Sequence, residues 1–125
     1  MRLIYLASPY THDSALVRES RYSEACRTVA AVWKSNQHIN IFSPIVHNHC
    51  IAVVDDLPLD FAYWRAMDID MLRRCDELWV LMIDGWDRSA GITAEVAAAI
   101  AIGLPVMYVR LTENGIIIDR KVETK

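Results

Sequence analysis

The fold is decided by residues 78–102, which run Leu78-Trp-Val-Leu-Met-Ile83, Asp84-Gly-Trp-Asp-Arg-Ser-Ala-Gly-Ile-Thr-Ala-Glu95 and Val96-Ala-Ala-Ala-Ile-Ala-Ile102. The first part is a continuous apolar run, typical of a strand that is covered on both faces of a sheet. The last part is rich in alanine and predicts a helix. A buried strand, a polar loop with glycines and a helix start together present backbone N–H groups to a ligand. This stretch therefore predicts an α/β fold and the position of its binding crevice.

The rest of the chain alternates strands and helices in the same way. The predicted strands are Leu3–Ala7, Ile39–Phe42, Glu77–Ile83, Pro105–Val109 and Gly115–Asp119, and the predicted helices are Asp13–Asn36, Leu59–Arg74 and Ala94–Gly103. Residues 45–58 show no clear periodicity, and residues 120–125 are expected to fray. Strands that alternate with helices predict a parallel sheet with helices on both faces, in a single domain 1–125. The binding crevice of such a sheet lies beyond the carboxyl ends of the strands.

The composition limits the kind of partner. The 125 residues are 54% hydrophobic and 23% charged, with a net charge of -3. These values are typical of a compact globular domain and argue against a nucleic-acid polymer or an anionic membrane as the main partner. No apolar run reaches the roughly 18 residues that span a bilayer, and no signal peptide is predicted. The three scattered cysteines are expected to be reduced thiols in a cytoplasmic protein.

Glu95 is the first candidate catalytic residue. The pattern places it in the early turns of a helix, where the helix dipole favours an ionised carboxylate that could act as a nucleophile. The alternative is an acidic residue that is common near helix starts for electrostatic reasons alone, with Thr93 as the N-cap.

Asp68 is the second candidate. It follows Trp64 by four residues and precedes Met71 by three, so its carboxylate lies beside the apolar stripe of its helix. The alternative is a structural carboxylate paired with Arg65 or Arg73. Two carboxylates that reach one crevice from different elements suit cleavage of a glycosidic bond, in which one attacks the anomeric carbon and the other assists the leaving group.

Other polar residues fall at the same edge of the predicted sheet. Tyr5, near the end of the first strand, could orient the nucleophile, although a tyrosine there more often packs with its hydroxyl satisfied. Gly91 allows close backbone approach, and Ser89 could hold a hydroxyl or phosphate or simply cap the helix. The cluster His47-Asn-His-Cys50 has no second half elsewhere, so no metal is predicted, and a histidine that lines the substrate pocket is the preferred interpretation.

Separate pieces of the chain resemble the nucleoside 2-deoxyribosyltransferase superfamily. These pieces are Ile4-Tyr5-Leu6-Ala7-Ser8, Asp68 eight residues before Asp76, and Ser89-x-Gly91-x-x-x-Glu95. Within that superfamily the chain is similar to a small bacterial branch of DUF1937-type proteins. The Ser-Pro-Tyr and Phe-Ser-Pro-Ile-x-His pieces of that branch occur here at Ser8–Tyr10 and Phe42–His47. The resemblance covers residues 2 to about 109.

The resemblance implies a flavodoxin-like three-layer sandwich with a five-stranded parallel sheet, and cleavage of an N-glycosidic bond in a nucleoside or nucleotide without a cofactor. Glu95 would be the nucleophile, Asp68 the assisting acid and Tyr5 the orienting residue. The implied substrate-binding residues are Ser8, Pro9, Tyr10, His47, Ser89 and Gly91. A homodimer or homotetramer is expected, because a neighbouring subunit commonly supplies an active-site residue in that superfamily.

Ser89 guides the choice of reaction. The transferases of the superfamily have an aspartate there, whereas its nucleotide hydrolases have a serine, which can donate to a phosphate that a carboxylate would repel. Hydrolysis of a 5-phosphorylated substrate is therefore preferred, although Asp84 and Asp87 oppose phosphate binding unless Arg88 offsets them. The alternatives are a transferase that exchanges bases and a non-catalytic sensor of a nucleotide-derived ligand.

Overall fold

The computed structural model of the chain describes residues 1–35 and 38–122. Its elements in chain order are β1 (Arg2–Ala7), α1 (Ala15–Ser35), β2 (Ile39–Phe42), α2 (Pro44–Val54), α3 (Phe61–Arg73), β3 (Glu77–Leu81), a short 3-10 helix (Trp86–Arg88), α4 (Ala90–Ile102), β4 (Val106–Thr112) and β5 (Gly115–Val122). All the predicted strands and helices are present, which confirms the α/β class. Asn36, the predicted end of the first helix, and residues 123–125 of the predicted tail lie outside the described residues. Within residues 1–35 and 38–122, no helix combines the length and apolarity needed to cross a membrane.

The five strands form one mixed sheet in the order β2-β1-β3-β4-β5. The first four are mutually parallel, but β5 runs antiparallel to β4, so the prediction of a fully parallel sheet is wrong for the last strand. The reason is local, because only Glu113 and Asn114 separate β4 from β5 and a parallel crossover needs about a dozen residues. Pairing with β4 also orders residues 120–122, which were expected to fray.

Helix α2 is the α-helix that the sequence interpretation missed. Ser43 caps it, since its hydroxyl accepts a hydrogen bond from the Val46 N–H at 3.1 Å, and Pro44 occupies the first turn. Serine at the N-cap followed by proline is a helix-start signature. The same pair had been interpreted only as the end of β2. The omission matters, because α2 carries Asn48 and His49 to the edge of the sheet where the candidate site lies.

Alternate residues of β1 belong to two different core clusters, because successive side chains of a strand point to opposite faces of the sheet. Ile4 and Leu6 of β1 belong to the cluster that includes Val29 and Val32 of α1. Tyr5 and Ala7 belong to the cluster formed with α3 and α4. The buried residues of these two helices are Asp68 and Leu72 on α3, and Ile92, Glu95 and Ala99 on α4. Each candidate carboxylate is therefore part of a buried apolar stripe.

Candidate active site

A cavity of about 950 Å³ opens where β1 and β3 end. Its walls come from the segments that follow these strands and from α2, α3 and α4. Both candidate carboxylates and five of the predicted substrate-binding residues line it, namely Glu95, Asp68, Ser8, Pro9, Tyr10, Ser89 and Gly91. The crevice therefore lies at the expected edge of the sheet.

Glu95 reaches the cavity from the second turn of α4. The helix begins at Ala90, and the Ser89 hydroxyl caps it by accepting from the Ile92 N–H at 3.2 Å. Thr93 is already helical and donates its hydroxyl to the Ser89 carbonyl, so the alternative of Thr93 as N-cap is wrong. Glu95 is 4% exposed. The hydroxyl of Tyr5, buried in β1, donates a hydrogen bond to Glu95 Oε2.

The expectation that Glu95 stays ionised is not met. Its pKa is raised to about 8 as the net result of three effects. Burial is the largest and raises the pKa, the hydrogen bond from Tyr5 lowers it, and the nearby charge of Asp68 raises it. The effect of the helix dipole is concentrated in the first turn, and Glu95 lies beyond that turn. Desolvation therefore dominates its pKa. At neutral pH the carboxyl group is therefore mostly protonated.

Asp68 is equally buried and has fewer partners. It is 4% exposed, and its Oδ1 atom has no hydrogen-bond partner within the part of the chain that the structure describes. Burial raises its pKa to about 6, while a hydrogen bond from Asn48 and the charge of His47 lower it. Neither Asp68 nor Glu95 forms an ion pair among residues 1–35 and 38–122, so the predicted alternative of a structural pair with Arg65 or Arg73 is not observed. A buried carboxyl oxygen without a partner is available to a ligand.

His47 was named as a substrate-binding residue, although which of His12, His47 and His49 faces the pocket was left open. The cavity lining includes His12 and His49 but not His47. The His47 ring packs against Phe42, and its Nδ1 atom lies 2.6 Å from Asn48 Oδ1, outside the cavity wall. The next two residues, Asn48 and His49, line the cavity instead. Helical geometry decides this, because neighbouring residues on a helix point about 100° apart.

Three arginines also line the cavity, of which only Arg21 was not named from the sequence. Arg21 of α1 donates to the Thr11 carbonyl at 3.0 Å, and Arg65 of α3 forms no ion pair within the described residues. Arg88 pairs with Asp84 at 3.6 Å and with Asp87 at 3.5 Å, so it offsets these two aspartates as predicted. Arg21 and Arg65 therefore bring positive charge to a cavity whose lining also includes the acidic residues Asp60 and Asp84.

Gly91 is explained by packing. A Cβ atom there would lie 3.3 Å from a ring carbon of Phe61, so the glycine lets α4 approach α3 closely. This contact sets the separation of the two helices that supply Glu95 and Asp68. Among residues 1–35 and 38–122, no group of three or more histidine, cysteine or acidic side chains is arranged to hold a metal ion.

The raised pKa of Glu95 predicts how stability depends on pH. The folded state holds the Glu95 proton up to about pH 8, whereas the unfolded chain releases it near the ordinary value of 4.5. Folding stability should therefore fall as pH rises between these values, because the folded state binds more protons. Glu95→Gln should melt roughly 5–10 °C above the wild type at pH 8.5 and close to it at pH 4.5.

Circular dichroism melts at both pH values measure this difference. Glu113→Gln, which changes an exposed glutamate in the β4–β5 turn, is the matched control and should follow the wild type at both pH values. Equal pH dependence of the wild type and Glu95→Gln would contradict a raised pKa for Glu95.

The fold and the site together define an α/β protein with two buried carboxyl groups in a cavity at the strand ends. The chain belongs to the family described as Domain of unknown function (DUF1937), whose family model matches residues 2–111. A search of curated proteins finds no match to the chain. The family match spans every residue of the candidate site, from Tyr5 to Glu95.

Proposed function

We propose that this protein hydrolyses the N-glycosidic bond of a nucleoside 5-monophosphate or nucleoside. One observation supports it above all, which is the pair of buried carboxyl groups, Asp68 and Glu95, in a single cavity without a cationic partner among the described residues. Their pKa values of about 6 and about 8 leave one proton on the pair between these pH values. Glycosidic cleavage needs one ionised carboxylate and one proton donor.

The proposed reaction has two steps. Glu95 attacks the anomeric carbon and forms a glycosyl ester while the C–N bond breaks, and the base leaves with a proton from Asp68. Water then attacks the ester, gives its proton to Asp68 and releases the sugar with Glu95 as a carboxylate. Since Glu95 holds the proton at neutral pH, substrate binding has to shift that proton to Asp68 or to the base.

The position of the 5-phosphate follows from the rim of the cavity. Ser89 lies at the start of α4, where backbone N–H groups and the helix dipole favour an anion. Arg21 and Arg65 add positive charge at the same cavity. These groups support a phosphorylated substrate in preference to an unphosphorylated nucleoside.

Base release from a panel of nucleoside monophosphates and nucleosides, followed by chromatography, tests the proposal. A second free base in the same reaction separates the two acceptors, because hydrolysis yields a free sugar phosphate and a transferase yields a new nucleotide. The sensor alternative is favoured by the protonated resting state of Glu95, since a binding protein needs no nucleophile. It predicts ligand-induced melting shifts without release of any base.

The pH profile of base release tests the shared proton. Below about pH 6 both groups are protonated and no nucleophile is left, and above about pH 8 both are ionised and no donor is left. kcat/KM should therefore follow a bell-shaped curve with limbs near these values.

Tyr5→Phe should move the alkaline limb of that curve to higher pH. The lost hydroxyl lowers the pKa of Glu95 in the wild type, so its removal raises that pKa further and reduces the ionised fraction at neutral pH. Tyr108→Phe, on β4 and outside the cavity, is the control and should leave the profile in place. An alkaline limb that does not move in Tyr5→Phe would show that Tyr5 does not set the charge of Glu95.

We also propose a flavodoxin-like three-layer arrangement. The strand order with β1 between β2 and β3 is that of the flavodoxin-like class, apart from the antiparallel direction of β5. The two core clusters support helical layers on both faces of the sheet.

A homodimer or homotetramer is proposed with a second copy on the exposed apolar side of α2, where Ile51, Val53 and Val54 are 47%, 58% and 85% exposed. Light scattering after size-exclusion chromatography measures the assembly. The three free cysteines support a cytoplasmic location.

A further inference from the structure

Three side chains, Tyr10, His49 and Glu19, form a hydrogen-bonded series that reaches the cavity. The reaction proposed above does not use it. The Tyr10 hydroxyl lies 2.5 Å from His49 Nδ1, and His49 Nε2 lies 2.7 Å from Glu19 Oε2. Tyr10 is 9% exposed and His49 is 7% exposed, and both line the cavity. The ring of Tyr22 stacks on the imidazole with 4.2 Å between centroids. The contacts link a solvent-facing glutamate on α1, through a histidine on α2, to a tyrosine at the cavity wall.

The direction of each hydrogen bond follows from the chemistry of these groups. The Glu19 carboxylate can only accept, so His49 Nε2 carries the N–H. In the neutral imidazole Nδ1 is then an acceptor and receives the O–H of Tyr10. Burial is the largest of the effects that raise the pKa of Tyr10, which keeps its phenol protonated as that donor. The phenol oxygen therefore retains lone pairs for a ligand but has no proton to offer it.

Tyr10 is connected to the part of the site that would hold the leaving base. Asn48 hydrogen-bonds to Asp68, the group assigned to protonate the base, and the next residue of α2 is His49, which holds Tyr10. Asp68 and Tyr10 both line the cavity, so a ligand bound there lies against a surface to which both contribute.

We propose that Tyr10 determines substrate specificity by accepting a hydrogen bond from an exocyclic amino group of the nucleobase. The inference rests on the proposed function, because it takes the cavity as a nucleotide site. A base without that amino group would leave the buried phenol oxygen without a hydrogen-bond donor from the base. The binding free energy lost in this way is larger than the net gain from forming the hydrogen bond.

Binding measurements test this without turnover. Calorimetry on the Glu95→Gln variant compares the affinities of nucleotides that differ only in the amino group. The first pair is adenosine and purine riboside, and the second is cytidine and 2-pyrimidinone riboside, all four as 5-monophosphates. Each nucleotide is measured in its ribose and its 2-deoxyribose form. In at least one pair the amino-bearing member should bind about tenfold tighter. Adding Tyr10→Phe should bring that ratio close to one by weakening the amino-bearing nucleotide.

Tyr22→Phe is the matched control for the loss of a tyrosine hydroxyl. It keeps the ring that stacks on His49 and removes only a hydroxyl that contacts Cys50 at 3.3 Å. The preference for the amino-bearing nucleotide should survive this change. A preference that persists in Tyr10→Phe, or that is absent in every pair, overturns the proposal.

The histidine tautomer provides an independent readout. Nitrogen-15 spectra of the histidine-labelled chain at pH 8, with the His49 signals assigned from their loss in His49→Gln, should show the neutral Nε2–H form. An Nδ1–H form or an imidazolium overturns the proposal, because Tyr10 would then accept from His49 and donate to the ligand. Base release without an amino preference removes only the role of Tyr10, whereas failure of every nucleotide to bind removes the proposed function as well.

Discussion

Glu95→Gln is expected to lower base release by at least about 10³-fold, the largest effect of any single change in this protein. The amide has nearly the shape of the carboxyl group but cannot form the glycosyl ester. Because Gln lacks the ionisable group whose charge is costly in this buried position, the variant should remain folded. Initial rates with the preferred nucleotide of the panel measure the loss.

Glu77→Gln is the control matched for burial. Glu77 is 7% exposed, lies outside the cavity and bonds to Arg2 and Trp79, so its change should leave the rate per folded molecule close to that of the wild type. Base release that continues at the wild-type rate in Glu95→Gln would remove the nucleophile from the proposal.

Asp68→Asn is expected to lower base release by about 10²–10⁴-fold, the range for loss of a general acid. The loss should depend on the leaving group, because an electron-poor base departs without a proton whereas an ordinary base needs one. Nucleotides with such an activated base should therefore recover most of their rate in Asp68→Asn and none in Glu95→Gln.

Asp70→Asn, two residues away on the exposed side of α3, is the control and should behave as the wild type. The opposite pattern, with Asp68→Asn inactive on all bases and Glu95→Gln restored by the activated ones, would exchange the two roles. That exchange is physically reasonable, because Glu95 has the higher pKa of the two groups and holds the proton at neutral pH.

Much of the fold could be predicted because its signals are local. Continuous apolar runs gave the strands, and the Gly103 C-cap in left-handed conformation ends α4 where expected. Two errors were also local. The short Glu113-Asn114 connection requires β5 to reverse direction, and Ser43 with Pro44 indicates the start of α2, so both could have been inferred.

The candidate site was predictable in part for a different reason. Spacing placed Asp68 beside an apolar stripe, and a position near a helix start singled out Glu95, each with a structural alternative left open; both line the cavity. Substrate contacts from α2 could not be assigned without the helix, so the sequence left open which histidine faces the cavity. The hydrogen-bonded series of Tyr10, His49 and Glu19 connects the segment after β1 with α2 and α1. No local sequence pattern indicates these contacts.

The sequence by itself determined which residues are acidic, where the strands and most helices lie, and that the polar segments follow the ends of β1 and β3. Only the tertiary structure decided the charge of the acids. A protonation state depends on how much water and which charges surround a group, and these come from distant parts of the chain: Tyr5 and Asp68 both act on Glu95. For this reason the sequence favoured an ionised glutamate at a helix start, whereas packing of α4 against the sheet keeps that glutamate protonated at neutral pH.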